Sequence, residues 1–190
     1  MRIGLIADTH MPGSLSELWP EAMTALQGVD CILHAGDLHT LEIVDELSAL
    51  APTYVSRGNG DQGIIDDRLD DTWLLNLGGV QIGLIHHFPS PQRKSPEVIG
   101  RHIDKHFDTR PDVVIFGHTH FEGLYHVNDT LCINPGSPTL PRNQSLRRGT
   151  IGYLDIVVGH VAASIHQITE SGLVPHDTIE PMRIAGVFGR

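Results

Sequence analysis

The chain has 190 residues, a formal net charge of −10 and a hydrophobic fraction of 40%. That length can bury a sizeable core in one domain, and the acid excess argues against the basic face that stable nucleic-acid binding needs. No apolar run approaches the roughly 18 residues that span a membrane, and the run from Ile3 is broken at Asp8 and His10, so neither a membrane span nor a secretory signal is expected.

Apolar, strand-like runs alternate with helix-like stretches, which predicts an α/β fold. Arg2–Ala7 reads as a first strand. In Leu15–Gln27, Leu15, Leu18, Trp19, Ala22, Ala25 and Leu26 share one face at spacings of three and four, so a helix is expected. Ser14 and Glu17 would form its capping box, and Gly28 would end it. Val29–His34 reads as a strand, Leu41–Leu50 as a helix capped by Thr40, and Thr53–Ser56 as a short strand. Asp61–Asp71 is acidic and loop-like. Trp73–Leu77 and Val80–Ile85 form a hairpin pattern about Gly78-Gly79. Pro96–Phe107 reads as a helix opened by proline, and Val113–Phe116, Leu124–Val127, Leu131–Asn134 and Ile151–Ser164 read as strands. One domain over residues 1–190 is expected, with a C-terminal arm of little periodicity from about residue 171. Cys31 and Cys132 sit inside strand-like runs and read as reduced core thiols of a cytoplasmic protein.

The informative pattern occurs five times. Strand-like runs lead into Asp8-Thr9-His10, Gly36-Asp37, Gly58-Asn59, His86-His87 and Gly117-His118-Thr119-His120. In α/β sheets, sites form beyond the carboxyl ends of the strands, where such residues converge although they are far apart in sequence. Charges and imidazoles there are costly unless used. Asp8 and His10, like His118 and His120, are two apart and would face one centre in extended chain. Gly36, Gly58 and Gly117 allow the sharp turns and close approaches such loops need. Carboxylate, imidazole and amide donors without thiolate suit Mn, Fe, Zn, Co or Ni, and one carboxylate can bridge two ions about 3.5–4 Å apart.

The ordered set Asp8-x-His10, Gly36-Asp37, Gly58-Asn59-x-Asp61, His86 and Gly117-His118-x-His120 resembles the calcineurin-like metallophosphoesterase superfamily. The short length, His34-Ala-Gly-Asp37, Arg57-Gly-Asn59 and Asn134-Pro-Gly-Ser137 resemble its small Vps29-like branch of bacterial and archaeal phosphodiesterases; the resemblance runs from Arg2 to about Ser164. It implies a four-layer α-β-β-α sandwich of two mixed sheets flanked by helices, with the metal site at the C-terminal ends of the strands. It further implies two divalent transition-metal ions, manganese foremost, with Ni, Co, Fe or Zn as other fits. Asp8, His10 and His120 would hold one ion, Asn59, His86 and His118 the other, and Asp37 would bridge them. Asp37, Asn59 and His118 would carry the chemistry, in which a metal-bridging hydroxide attacks a small phosphate ester. Asp61 would orient the groups around the ligands. The branch includes dimers and larger assemblies, so a homo-oligomer is in keeping with it.

The sequence departs from the family pattern at three places. Gly60 stands where many members carry a proton-donating histidine, which points to diesters with acidic leaving groups. His87 stands where glycine is common and is expected to touch substrate; Met11 likewise replaces a common glycine. Other readings of the same residues are a phosphomonoesterase or nucleotide pyrophosphatase, and a non-catalytic scaffold resembling Vps29. His34 reads as a buried, hydrogen-bonded residue behind the site, His39 as a helix-start residue, Arg57 as a partner of the acidic loop, and Asn134–Ser137 as mainly a turn.

Overall fold

The computed structural model describes residues 1–142 and 148–186. In chain order its elements are β1 (Arg2–Ile6), α1 (Pro20–Ala25), β2 (Cys31–His34), α2 (Glu42–Ser48), β3 (Thr53–Ser56), β4 (Leu69–Asp70), β5 (Thr72–Leu77) and β6 (Val80–Ile85). There follow α3 (Pro96–His106), β7 (Val113–Phe116), β8 (Gly123–Val127), β9 (Thr130–Asn134), β10 (Thr150–Val157), β11 (His160–Thr169), β12 (Gly172–Pro175) and β13 (Met182–Ala185). Two mixed sheets result. The first has the order β12-β11-β10-β1-β2-β3-β4, with β13 also paired to β11; the second has the order β5-β6-β7-β9-β8. β1 to β4 run parallel, as do β6, β7 and β9.

Three apolar clusters fix the layering. Ile3, Leu5 and Leu33 of the first sheet meet Ile82, Leu84, Val113 and Ile115 of the second. The alternate residues of the same strands point outward. Ile6, Ile32 and Val55 pack with Leu26 just beyond α1 and with Ile43 and Leu47 of α2. Ile85, Val114 and Phe116 pack against Ile99 and Ile103 of α3 and against Phe107. Both faces of the parallel strands are therefore buried, which is why their sequences read as continuous apolar runs. Each such side chain removed from water contributes roughly 1.5–3 kcal/mol. The layers are helix, sheet, sheet, helix, as the resemblance implied.

Several expectations are corrected. The helix expected over Leu15–Gln27 is only Pro20–Ala25. Proline has no N–H to bond within a helix and forces the residue before it out of helical dihedrals; Trp19 accordingly has ψ of 128°. Ser14 does not cap a helix; its hydroxyl donates to the Thr9 carbonyl at 2.6 Å. The acidic segment contains a two-residue strand, β4, paired with β3. Ile151–Ser164 is two strands, β10 and β11, turned at Val158-Gly159. The arm from about residue 171 supplies β12 and β13, both hydrogen-bonded to β11; its last four residues lie outside the described part. Both cysteines are free and buried. Among the described residues, no helix is long and apolar enough to cross a membrane.

Candidate metal centre

The five strand ends meet at one edge of the sandwich. Backbone bonds tie the loops after β1 and β2 together: the N–H groups of Asp8, His10 and Met11 donate to the carbonyls of Gly36, Asp37 and Leu38 at 2.8–2.9 Å. Asp8, His10, Asp37, His39, His118 and His120 all have left-handed backbone, with φ between 46° and 76°. Non-glycine residues pay a steric penalty there, of order 1–3 kcal/mol each, and six gathered at one place mark a site held in shape by its surroundings. At Gly36 the demand is stricter: φ is +87°, and a Cβ would lie 2.5 Å from the Ser56 carbonyl oxygen and 2.7 Å from His86 Nδ1.

All seven expected ligands are brought together. Asp37 Oδ2 lies 3.4 Å from His10 Nε2 and 3.5 Å from His86 Nε2, so one carboxylate oxygen faces both halves of the cluster. In one half, His10 Nε2 is 3.1 Å from His120 Nε2, which is 3.7 Å from Asp8 Oδ1. In the other, His86 Nε2 is 3.3 Å from Asn59 Oδ1, and the His118 ring lies 5.2 Å from that of His86. Asp8, Asp37 and His86 are buried, His10 and His120 are half-buried, and Asn59, His87 and His118 are exposed, so the second half opens to solvent. His87 sits against His118 with ring centroids 3.8 Å apart, and groups of His86, His87 and His118, and of Asp8, His10 and His120, each place their donor atoms within 4.8 Å of one another.

The donor chemistry fits cations. His120 Nδ1 donates to the Leu140 carbonyl and His86 Nδ1 to the Ala35 carbonyl, each at 2.7 Å. A carbonyl only accepts, so each ring carries its proton on Nδ1 and turns the Nε2 lone pair inward. Asp8 Oδ2 is buried with no hydrogen-bond partner among the described residues. Burial pushes the Asp8 carboxyl up to about 8; Asp37 adds to this, while His86 and the His118 N–H oppose it. Such a group stays ionised at neutral pH only beside added positive charge. For Asp37, burial is outweighed by its bond to His86, by the Gly60 N–H at 2.8 Å and by His10, which hold its carboxyl well below the usual range. Burial lowers the pKa of His10, His87 and His118 and so favours their neutral forms. In His86 burial acts the same way, but the bonds to Asp37 and Ala35 outweigh it and raise the pKa.

Asp61 does what its place in the motif suggested. Its fully buried carboxylate accepts four backbone N–H groups: Asp37 and Gly58 on Oδ2, Leu38 and His39 on Oδ1, at 2.7–3.0 Å. His34 is buried between Thr9 Oγ1 and the Gly36 N–H, each at 3.1 Å. Arg57 bonds the Leu69 carbonyl and Asp71. Asn134–Ser137 is more than a turn. Asn134 Nδ2 donates to the Gly117 carbonyl and Thr119 Oγ1, and Ser137 Oγ donates to the Asp8 carbonyl at 2.7 Å, so this segment braces the loops that carry Asp8 and His118. His39 is not a helix-start residue: it lies in the loop before Leu41, the N-cap of α2, and its ring meets His10. Next to His118 opens a cleft of about 440 Å³, lined in part by Arg93, Phe116, Phe121, Tyr125 and Arg142.

Comparison with known proteins agrees with this geometry. The family model of the calcineurin-like phosphoesterase superfamily domain matches residues 1–158. A probable metallophosphoesterase of Methanothermobacter thermautotrophicus is 38% identical over 144 residues, covering 75% of this chain and 80% of that protein. The probable metallophosphoesterase YsnB of Bacillus subtilis is 32% identical over 174 residues, covering 90% and 93%. Vacuolar protein sorting 29 of Cryptosporidium parvum shares the fold, with a TM-score of 0.78 over 97% of this chain and 98% of that one, at 18% identity. The chain belongs to the calcineurin-like phosphoesterase superfamily, whose members bind divalent metals.

Proposed function

We propose that the protein is a binuclear metal-dependent phosphodiesterase acting on small phosphate diesters. The observation that carries this reading is the position of Asp37 Oδ2 between His10 Nε2 and His86 Nε2, which divides the donors into two sets sharing one carboxylate. Asp8, His10 and His120 would hold one ion, Asn59, His86 and His118 the other, with Asp37 common to both. Manganese is the first choice, with Ni, Co, Fe and Zn also suited to imidazole-rich oxygen and nitrogen sites. When bound, two such ions supply an activated water nucleophile and positive charge for the phosphoryl oxygens.

The remaining steps fall to the chain. Asn59, exposed beside His86, holds a non-bridging phosphoryl oxygen through its amide. His118 faces the adjoining cleft with the His87 ring against it, and in that cleft Phe121 and Tyr125 offer flat surfaces for an ester substituent and Arg93 and Arg142 offer positive charge for an anionic one. Gly60 brings no proton to the leaving group. Loss of a general acid typically costs 10²–10⁴ in rate, most of all for poor leaving groups; diesters with acidic leaving groups are therefore favoured over alkyl monoesters. A scaffold role like that of Vps29 would not by itself call for the full set of seven donor side chains. The test is a substrate panel with metal-loaded protein: an aryl phosphodiester, the matching monoester and a pyrophosphate-linked nucleotide. Faster turnover of the diester is expected. Preference for the monoester or the pyrophosphate would overturn the diester reading and leave the metal centre standing.

A further inference from the structure

We infer that His39 is a positioning residue that sets the orientation and proton position of His10, and that Gly60 is glycine because the His39 ring occupies the space beside it. The inference rests on the reading of His10 as a metal ligand. In His86 and His120 the outer ring nitrogen is fixed by a carbonyl oxygen, Ala35 and Leu140 respectively. Among the described residues, His10 has no carbonyl in that role. Its Nδ1 lies 3.0 Å from His39 Nε2, with the two rings edge to face at 81° and centroids 4.6 Å apart. To turn an Nε2 lone pair toward His120 Nε2 and Asp37 Oδ2, His10 must carry its proton on Nδ1, and His39 Nε2 is the acceptor placed to receive it. An outer hydrogen bond of this kind fixes ring orientation and raises ligand basicity.

His39 is itself aimed by the loop. Its backbone has φ of 76°, and its N–H donates to Asp61 Oδ1 at 3.0 Å, the carboxylate that also holds the Asp37 N–H. The ring therefore moves with the loop that carries Asp37. On its other side lies Gly60, where a Cβ would overlap His39 Cδ2 and Nε2. A side chain at residue 60 and the present ring position exclude each other, so the two residues, 21 apart in sequence, act as one device.

The test titrates metal-stripped protein with Co²⁺, read by calorimetry and by the cobalt absorption bands. His39→Gly removes the acceptor and relieves the left-handed backbone, so the fold is retained; its melting temperature checks this. One of the two ions is expected to bind 10–100-fold more weakly, the range typical for such outer partners, while the other is unchanged. His39→Gln restores a carbonyl acceptor and most of the affinity. Gly60→Ala displaces the ring and reproduces the loss, and its effect is much smaller in the His39→Gly background, where the ring is gone and only Asp37 Oδ1, 3.3 Å from the added Cβ, remains in its way. Two ions bound by His39→Gly with unchanged affinities would overturn the inference alone. Additive losses from Gly60→Ala and His39→Gly would break the link to Gly60. A wild-type protein that binds no ion would overturn the metal-centre reading and this inference with it.

Discussion

Replacing Asp61 with asparagine should loosen the metal centre from behind while leaving every proposed ligand in place. The four backbone N–H groups on Asp61 come from Asp37, Leu38, His39 and Gly58, so one carboxylate ties the loops after β2 and β3 together. Asparagine keeps one acceptor oxygen. Its amide nitrogen would face the other two N–H groups, donor against donor, in a place from which solvent is excluded. Hydrogen bonds to a charged group contribute about 1.5–3 kcal/mol each, and a buried donor without a partner costs about 1–3 kcal/mol. Two such losses, reduced by local relaxation, amount to roughly 3 kcal/mol of stability. For a chain of this length 1 kcal/mol moves the melting temperature by about 2–4 °C, so a drop of about 6–12 °C is expected. The assay is chemical and thermal unfolding of the metal-free protein, which isolates the fold from ion binding. A drop under about 2 °C would refute the claim that the Asp61 carboxylate holds these loops.

Three further outcomes follow from the same geometry. Gly36→Ala should cost at least about 1–3 kcal/mol from its left-handed backbone alone and abolish ion binding, because the added methyl meets backbone oxygen and the His86 ring; a stable variant that still binds two ions would contradict this. Burial, partly offset by Asp61 and Asp37, lowers His34 from its ordinary 6.5 to about 4. The folded pKa is the depressed one, so the stabilisation is complete above about pH 6.5 and is lost as pH falls toward 4. Unfolding midpoints should therefore decline more steeply over that window in wild type than in His34→Gln, and equal slopes would refute the assignment. His87→Ala should lower kcat/KM for an aryl diester about tenfold, equivalent to about 1.4 kcal/mol of lost contact, with both ions still bound; loss of an ion would make His87 a ligand instead.

The parallel strands were legible because burial on both faces writes them as unbroken apolar runs. Their ends were legible because Asp8, Asp37, Asn59, His86 and His118 each interrupt such a run with a group that water would otherwise claim. The division of those strands between two sheets was not legible from periodicity, since sheet membership is a long-range property; it came from the resemblance. Residues Leu15 to Trp19 have helical spacing yet are not helical, because Pro20 outweighs the pattern. β12 and β13 are short and largely exposed, so alternation gave little signal. The role of His39 depends on a left-handed backbone and on space left by Gly60, neither of which local spacing encodes.

The central claim is that five strand ends build a two-ion centre that hydrolyses phosphate esters. Its most direct test is turnover of an aryl phosphodiester by metal-stripped protein, with Mn, Ni, Co, Zn or Mg restored singly, beside Asp37→Ala. No turnover is expected without metal, with recovery on adding transition-metal ions and loss of that recovery in Asp37→Ala. Absence of turnover with every ion, in protein that measurably binds two, would contradict it.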